Sequence, residues 1–142
     1  MNESHLRQEI WIFQRLFVFL HQIIVMTSPM LFSIIYAVIR PEITERVSLG
    51  LIFVDGDQVD IRYSQQKLDA VRSLFSPKEY EFLSRVISSM PTDNSINTIE
   101  DINYLTRYSN NLIAVSPLQE INIAPTEQSK ISLFKNYIHE AA

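Results

Sequence analysis

Three β-type segments in close succession constrain the fold of this chain more than any other feature of its sequence. Residues 31–39 (LFSIIYAVI) and 46–54 (RVSLGLIFV) are short, apolar and rich in β-branched and aromatic residues, which is typical of strands buried on both faces. Residues 58–63 (QVDIRY) alternate between polar and apolar side chains, which indicates a half-exposed strand near a sheet edge. Residues 55–57 (DGD) suit a tight hairpin turn between the last two segments. The pattern predicts an antiparallel β-meander.

Helix signals dominate the chain after the meander. Residues suited to start a helix precede three stretches of helical apolar periodicity, at Ser64, Ser76 and Thr98, and a fourth such stretch runs from about Thr126. Two short apolar stretches between the third and fourth of these helices, residues 112–115 (LIAV) and 120–123 (EINI), are candidate strands. We therefore predict an α+β fold, in which an antiparallel β-meander of three to five strands packs against three to five helices.

The N-terminal segment 10–25 (IWIFQRLFVFLHQIIV) is rich in large apolar residues. Polar pairs recur every seven positions in and before this segment, at Arg7-Gln8, Gln14-Arg15 and His21-Gln22. Seven-residue spacing places the pairs on one narrow stripe of a helix and leaves a wide apolar face. The pattern predicts an extra amphipathic helix at the N-terminus.

Three interpretations of this N-terminal segment stay open. The segment is an amphipathic helix, a membrane anchor, or an extension produced by a start codon upstream of the true one. The third interpretation rests on Met26 and Met30, which precede the first strand. The polar residues argue against the anchor, since each is costly at the centre of a bilayer. We divide the chain into an N-terminal helix or extended start over residues 1–29 and a single α+β domain over residues 30–142.

Composition excludes several classes of function. The net charge of −4, without a cluster of Lys and Arg, argues against a nucleic-acid partner. The absence of cysteine excludes disulfides, iron–sulfur clusters and thiolate zinc sites, and it fits a reducing compartment such as the cytoplasm. Two glycines are too few for the glycine-rich loops that bind nucleotides. We expect neither a cofactor nor a metal.

Charged residues are concentrated between the first two strands, in residues 40–46 (RPEITER). The carboxylates of Glu42 and Glu45 and the guanidinium groups of Arg40 and Arg46 suit a site that binds a metal or an anion, or that acts as acid and base. The alternative is a solvated hairpin loop with weak surface ion pairs.

Small residues form a second pattern within the first two strands. Ser33 and Ala37 lie on one face of the first strand, and Ser48 and Gly50 lie on one face of the second. Adjacent faces of this kind form a shallow track that another element can approach closely. The track accommodates either a packed helix or a peptide or small ligand, with Gly50 permitting close backbone approach.

Three stretches of the chain are similar to a known family: residues 32–42 (FSIIYAVIRPE), 44–57 (TERVSLGLIFVDGD) and 111–123 (NLIAVSPLQEINI). They resemble a bacterial family known only as a domain of unknown function, with the catalogue number three thousand and thirty-seven. Glu45 and Gly50 match its pattern, whereas Ser48 stands where the family has Asn. The resemblance implies a stand-alone cytoplasmic protein, often encoded beside a HipA-like kinase. This neighbourhood implies an accessory or regulatory role in a toxin–antitoxin or defence setting.

We predict from these observations a non-enzymatic regulatory or accessory binding module that acts with a partner protein, a HipA-like kinase being one candidate. The predicted contact surface consists of Arg40, Glu42, Glu45, Arg46, Ser48 and Gly50. The alternative is a small metal-assisted hydrolase or nuclease that uses Glu42 and Glu45. Contact with a membrane through residues 10–25 is a further possibility that concerns location more than activity.

Overall fold

The structure, a computed structural model, describes residues 3–27, 29–107 and 110–138, with the side chains of residues 6–20 in the first range. The helices in the described residues are α1 (Glu3–Thr27), α2 (Gln65–Ala70), α3 (Pro77–Ser89), α4 (Ile99–Arg107) and α5 (Glu127–Ile138), with 3-10 turns at Pro41–Ile43 and Arg72–Leu74. The strands are β1 (Met30–Arg40), β2 (Glu45–Asp55), β3 (Gln58–Tyr63), β4 (Ile113–Val115) and β5 (Gln119–Ile121). The predicted α+β fold is confirmed.

The sheet is antiparallel and contains the predicted meander. β2 lies between β1 and β3, and both of its pairings are antiparallel. β4 and β5 both pair with the free edge of β1, β4 opposite residues 35–37 and β5 opposite residues 30–32. They form one broken edge strand, which lies at or within two residues of the predicted segments.

Ser116 bridges the break between β4 and β5. The Ile34 amide donates to the Ser116 hydroxyl at 2.8 Å, and the Ser116 amide donates to the Ile34 carbonyl at 2.9 Å. Pro117 follows directly and has no amide hydrogen to continue the ladder. The Ser116 side chain thus provides the acceptor that keeps the buried Ile34 amide paired.

A β-bulge interrupts β2. Gly50 lies opposite Ile35 and Ser48 lies opposite Tyr36, so Leu49 is an extra residue on the β2 side. The carbonyl of Leu49 accepts the amide hydrogen of Ser64 at 2.8 Å. The bulge therefore directs Leu49 into the core and joins β2 to the start of α2.

Helices cover both faces of the sheet. On one face, α2, α3 and α4 contribute Leu68, Leu83, Ile87 and Ile102 to the larger core, which also holds residues of β1 and β2. On the other face, Leu133 and Ile138 of α5 pack with apolar residues of β1 and β2 in a second core. The sheet is consequently buried on two sides, as the apolar runs of its first two strands predict.

The predicted N-terminal helix is present as α1; residues 1, 2 and 28 of the predicted segment 1–29 lie outside the described residues. Every side chain from Leu6 to Leu20 is exposed, and neither core includes any of them. No helix in the described part of the chain has the length and apolar character needed to cross a bilayer.

Candidate functional site

The turn between β1 and β2 displays the four charged residues that the sequence grouped together. The turn consists of the 3-10 helix Pro41–Ile43 and of Thr44, whose φ of 54° places it in the left-handed region. Arg40, Glu42, Glu45 and Arg46 are all exposed around this turn. The Arg40 guanidinium lies 3.5 Å from the Glu45 carboxylate. An exposed pair of this kind contributes about 0–1 kcal/mol to stability.

Arg46 packs against an aromatic ring beside the turn. Its guanidinium carbon lies 4.1 Å from the centroid of the Tyr36 ring, which is cation–π geometry. Arg and Tyr side chains are enriched among the residues that dominate the free energy of protein–protein binding. Arg40, Glu45, Arg46 and Tyr36 are named the sheet-end surface.

Ser48 does not join the sheet-end surface. Its hydroxyl accepts a hydrogen bond from the Lys67 ammonium at 2.9 Å and donates one to the Tyr137 carbonyl at 3.2 Å. The Lys67 ammonium also donates to the Ser48 carbonyl at 2.9 Å, and its partial burial lowers the pKa of Lys67. Ser48 thus ties β2 to α2 and α5.

Gly50 is buried in β2 directly beside the neighbouring strand β3. A Cβ atom at this position would lie 2.9 Å from the Tyr63 Cα and would also collide with the backbone carbonyl oxygen of Arg62. The close approach that a glycine permits is therefore made by a neighbouring strand of the same chain. Gly50 acts in the fold, where it allows β2 and β3 to pair beside the bulge.

The metal-site hypothesis gains no geometric support. Glu42 and Glu45 are both exposed, and Glu45 faces Arg40. Among the described residues, no group of three or more carboxylate or imidazole side chains is placed to hold a metal ion.

An ion network that the sequence analysis did not single out attaches α5 to β3. Arg62 donates two hydrogen bonds of 2.7 Å to the two carboxylate oxygens of Glu127, and it donates to Asp60 at 2.8 Å. Lys130 lies 3.2 Å from the same Asp60 oxygen. Asp60 and Arg62 are two residues apart on one face of β3, and Glu127 and Lys130 are three apart on α5. These spacings show that each pair of charged residues shares one face of its own element. The sequence does not show that β3 and α5 lie next to each other.

The network shifts the pKa of each carboxylate downward. Burial alone raises the pKa of Asp60, but the hydrogen bonds and charges of Arg62 and Lys130 outweigh it and leave that pKa lowered. The hydrogen bonds from Arg62 lower the pKa of Glu127, and those to Glu127 and Asp60 raise the pKa of Arg62. Asp60, Arg62 and Glu127 are therefore paired and charged at neutral pH, which is typical of a structural clamp.

Acid is expected to weaken this clamp through Asp60. Its pKa in the folded chain lies below the unfolded value of about 3.9, so the stabilisation is complete above about pH 4 and is lost as the pH falls through the folded-state pKa. The effect is up to about 1 kcal/mol, because Asp60 is partly exposed. Urea denaturation near neutral pH and at about pH 3 measures it, with Asp60→Asn as the comparison. Equal acid sensitivity in both proteins would contradict this role.

The exposed side chains of α1 form the largest apolar surface that the structure shows. Ten large apolar residues between Leu6 and Leu20 are each 45–70% exposed. The guanidinium of Arg15 lies 4.5 Å from the centroid of the Trp11 ring, so an aromatic side chain packs against the polar stripe. The third polar pair of the sequence pattern, His21-Gln22, lies outside the described side chains.

Comparison of the chain with known protein families, with curated proteins and with solved structures finds no match. The resemblance to the bacterial family of unknown function stays a prediction.

Proposed function

We propose that this chain is a non-enzymatic accessory module that binds a partner protein. The observation that supports the proposal is α1, a helix of 25 residues whose described side chains are all exposed although most of them are large and apolar. Soluble monomers rarely expose a contiguous apolar patch larger than about 300–600 Å². A surface of this kind is used for binding, because leaving it in water is unfavourable.

The sheet-end surface provides a second, polar contact. Its Arg40, Glu45 and Arg46 carry charges that can select a complementary partner, since charge complementarity contributes mainly to specificity and to the rate of association. The resemblance noted in the sequence adds a regulatory role beside a HipA-like kinase to this proposal. The hydrolase alternative has less support, because Glu42 and Glu45 do not converge on an enclosed site.

The test is affinity capture of the tagged full chain from its native host. We expect a stoichiometric protein partner that is lost with Phe13→Glu on the apolar face of α1 and weakened with Arg46→Ala at the sheet end. Gln14→Glu is the matched control, because it adds the same charge to the same helix on the polar stripe.

Capture of no protein in stoichiometric amount would contradict the proposed function. Equal capture by the Phe13→Glu and Gln14→Glu variants would show that the partner does not use α1. A purified HipA-like kinase from the same host is the first candidate to add directly.

A further inference from the structure

We infer that the occupant of the apolar face of α1 is α1 of further copies of this chain, so that the protein assembles through a bundle of its N-terminal helices. This inference rests on the proposed function, because it names the partner of the same surface. Both faces of the sheet are already covered by α2 to α5, so the described part of the chain offers α1 no free core surface of its own. We therefore place another molecule against α1.

The apolar residues of α1 have the period of helix–helix packing. Leu6, Phe13, Leu16 and Leu20 fall on the two alternating seam positions of a seven-residue repeat, and the polar pairs fall opposite them. Glu9 occupies the remaining seam position near the N-terminal end. A strict seven-residue repeat matches helices that supercoil around one another, whereas a single helix on a fluid surface has no such requirement.

The width of the apolar face favours a bundle over a simple pair. The positions that flank the seam are also apolar: Ile10, Ile12, Phe17 and Phe19. A two-stranded coiled coil covers mainly the seam, whereas helices of a bundle also bury the flanking positions. Copies of one chain carry the same face, and a symmetric assembly brings these identical faces together.

The exposed area is sufficient for a stable interface. Weighting about 150–200 Å² per large side chain by the exposed fractions of the seam and flanking residues gives about 700–900 Å² of apolar surface on this face of α1. A specific protein–protein interface buries about 800 Å² on each partner. One copy of α1 therefore presents as much surface as a stable association requires.

The charges of α1 favour a protein over an anionic lipid surface. The helix contains Glu3 and Glu9 against Arg7 and Arg15, two acidic and two basic residues, so its net charge is zero with histidine neutral. Helices that lie on anionic membranes have polar faces rich in Lys and Arg. α1 as a whole lacks this excess of positive charge, because Glu3 and Glu9 balance its two arginines.

Light scattering on the purified full chain, coupled to size exclusion, tests the inference. We expect a mass of at least three times the 16.5 kDa of one chain, and a fall to 16.5 kDa with Phe13→Glu. Gln14→Glu is expected to keep the assembled mass. Circular dichroism should lose helical signal with Phe13→Glu, because a helix without packing partners is marginal in water.

The domain itself should keep its cooperative urea transition in the Phe13→Glu variant, because Phe13 is 70% exposed and lies outside both cores. A monomeric wild-type chain that captures a different protein through α1 would overturn the inference and leave the proposed function standing. A monomer that captures none would overturn both. A monomer that binds vesicles of phosphatidylserine and phosphatidylcholine through α1 would also overturn the inference, and would identify a lipid surface as the occupant.

Discussion

Replacement of Gly50 by valine is expected to lower the free energy of unfolding by about 3 kcal/mol or more. Even the first atom of a side chain at this position meets two backbone atoms, the Tyr63 Cα at 2.9 Å and the Arg62 carbonyl oxygen. Neither can move without disturbing the pairing of β2 with β3, in which Gly50 lies opposite Tyr63. Overpacking against adaptable side chains costs about 1–3 kcal/mol, and a collision with paired backbone belongs at or above that range.

Gly56→Ala is the matched control for this prediction. Gly56 lies in the β2–β3 turn with a φ of +58°, and a Cβ there would meet no atom within 4 Å. Its cost is that of the left-handed conformation alone, about 1–2 kcal/mol. Urea denaturation followed by circular dichroism compares the two. Equal stability of the two variants would show that β3 does not lie against Gly50, and would return this position to the groove hypothesis.

The position of Gly50 in the fold also determines which variants can test binding. A Gly50 variant that loses its partner does so through unfolding, and so it does not identify a contact surface. Arg46 is exposed at the sheet end and belongs to neither core, so Arg46→Ala is expected to test binding without unfolding the chain. Binding experiments on this protein therefore depend on variants at Arg46 and on α1.

Local features of the fold were predictable from the sequence because local forces determine them. The meander follows from apolar runs around a DGD turn, and the Ser64 hydroxyl caps α2 by accepting the Lys67 amide at 3.1 Å. Ser76 and Glu79 form the capping box at the start of α3 that their spacing indicates. Each of these contacts joins residues within a few positions of one another.

The bulge at Leu49 explains why the candidate site was predicted only in part. Regular alternation through β2 would place Ser48 and Gly50 on one face of the sheet. The extra residue instead lets Ser48 bind Tyr137 of α5, while Ile35, opposite Gly50, belongs to the core beneath α2 to α4. The charged side chains of the turn need no such register, and all four are exposed; their role in binding stays a prediction. A one-residue shift of this kind reverses side-chain faces and leaves no mark in composition.

Contacts between residues far apart in the sequence could not be predicted for a related reason. Arg62 and Glu127 of the clamp are 65 positions apart in the sequence, and Ile34 and Ser116 are 82 positions apart. Many polar residues of the chain could satisfy such contacts, and only the packed sheet selects among them. Both contacts stabilise the fold.

Two buried serines are expected to respond in opposite directions to the same substitution. Ser116→Ala removes the acceptor of the Ile34 amide and leaves that amide buried without a partner, which costs about 1–3 kcal/mol. Ser33 is fully buried on the adjoining stretch of β1, and its hydroxyl has no hydrogen-bond partner among the described residues. Ser33→Ala removes a buried polar atom that is not hydrogen-bonded, so it is expected to be neutral or to stabilise the fold by about 1 kcal/mol.

The two alanine variants are each other's control, because they delete the same atom from residues of similar burial. Urea denaturation gives the difference in their free energies of unfolding, and amide hydrogen exchange at Ile34 reports the lost acceptor directly. We expect exchange at Ile34 to accelerate in Ser116→Ala and to stay protected in Ser33→Ala. If both variants lost the same stability, the deleted volume rather than the hydrogen bond would determine the cost. The broken edge strand would then be joined to β1 by the packing of β4 and β5, with no essential contribution from the Ser116 hydroxyl.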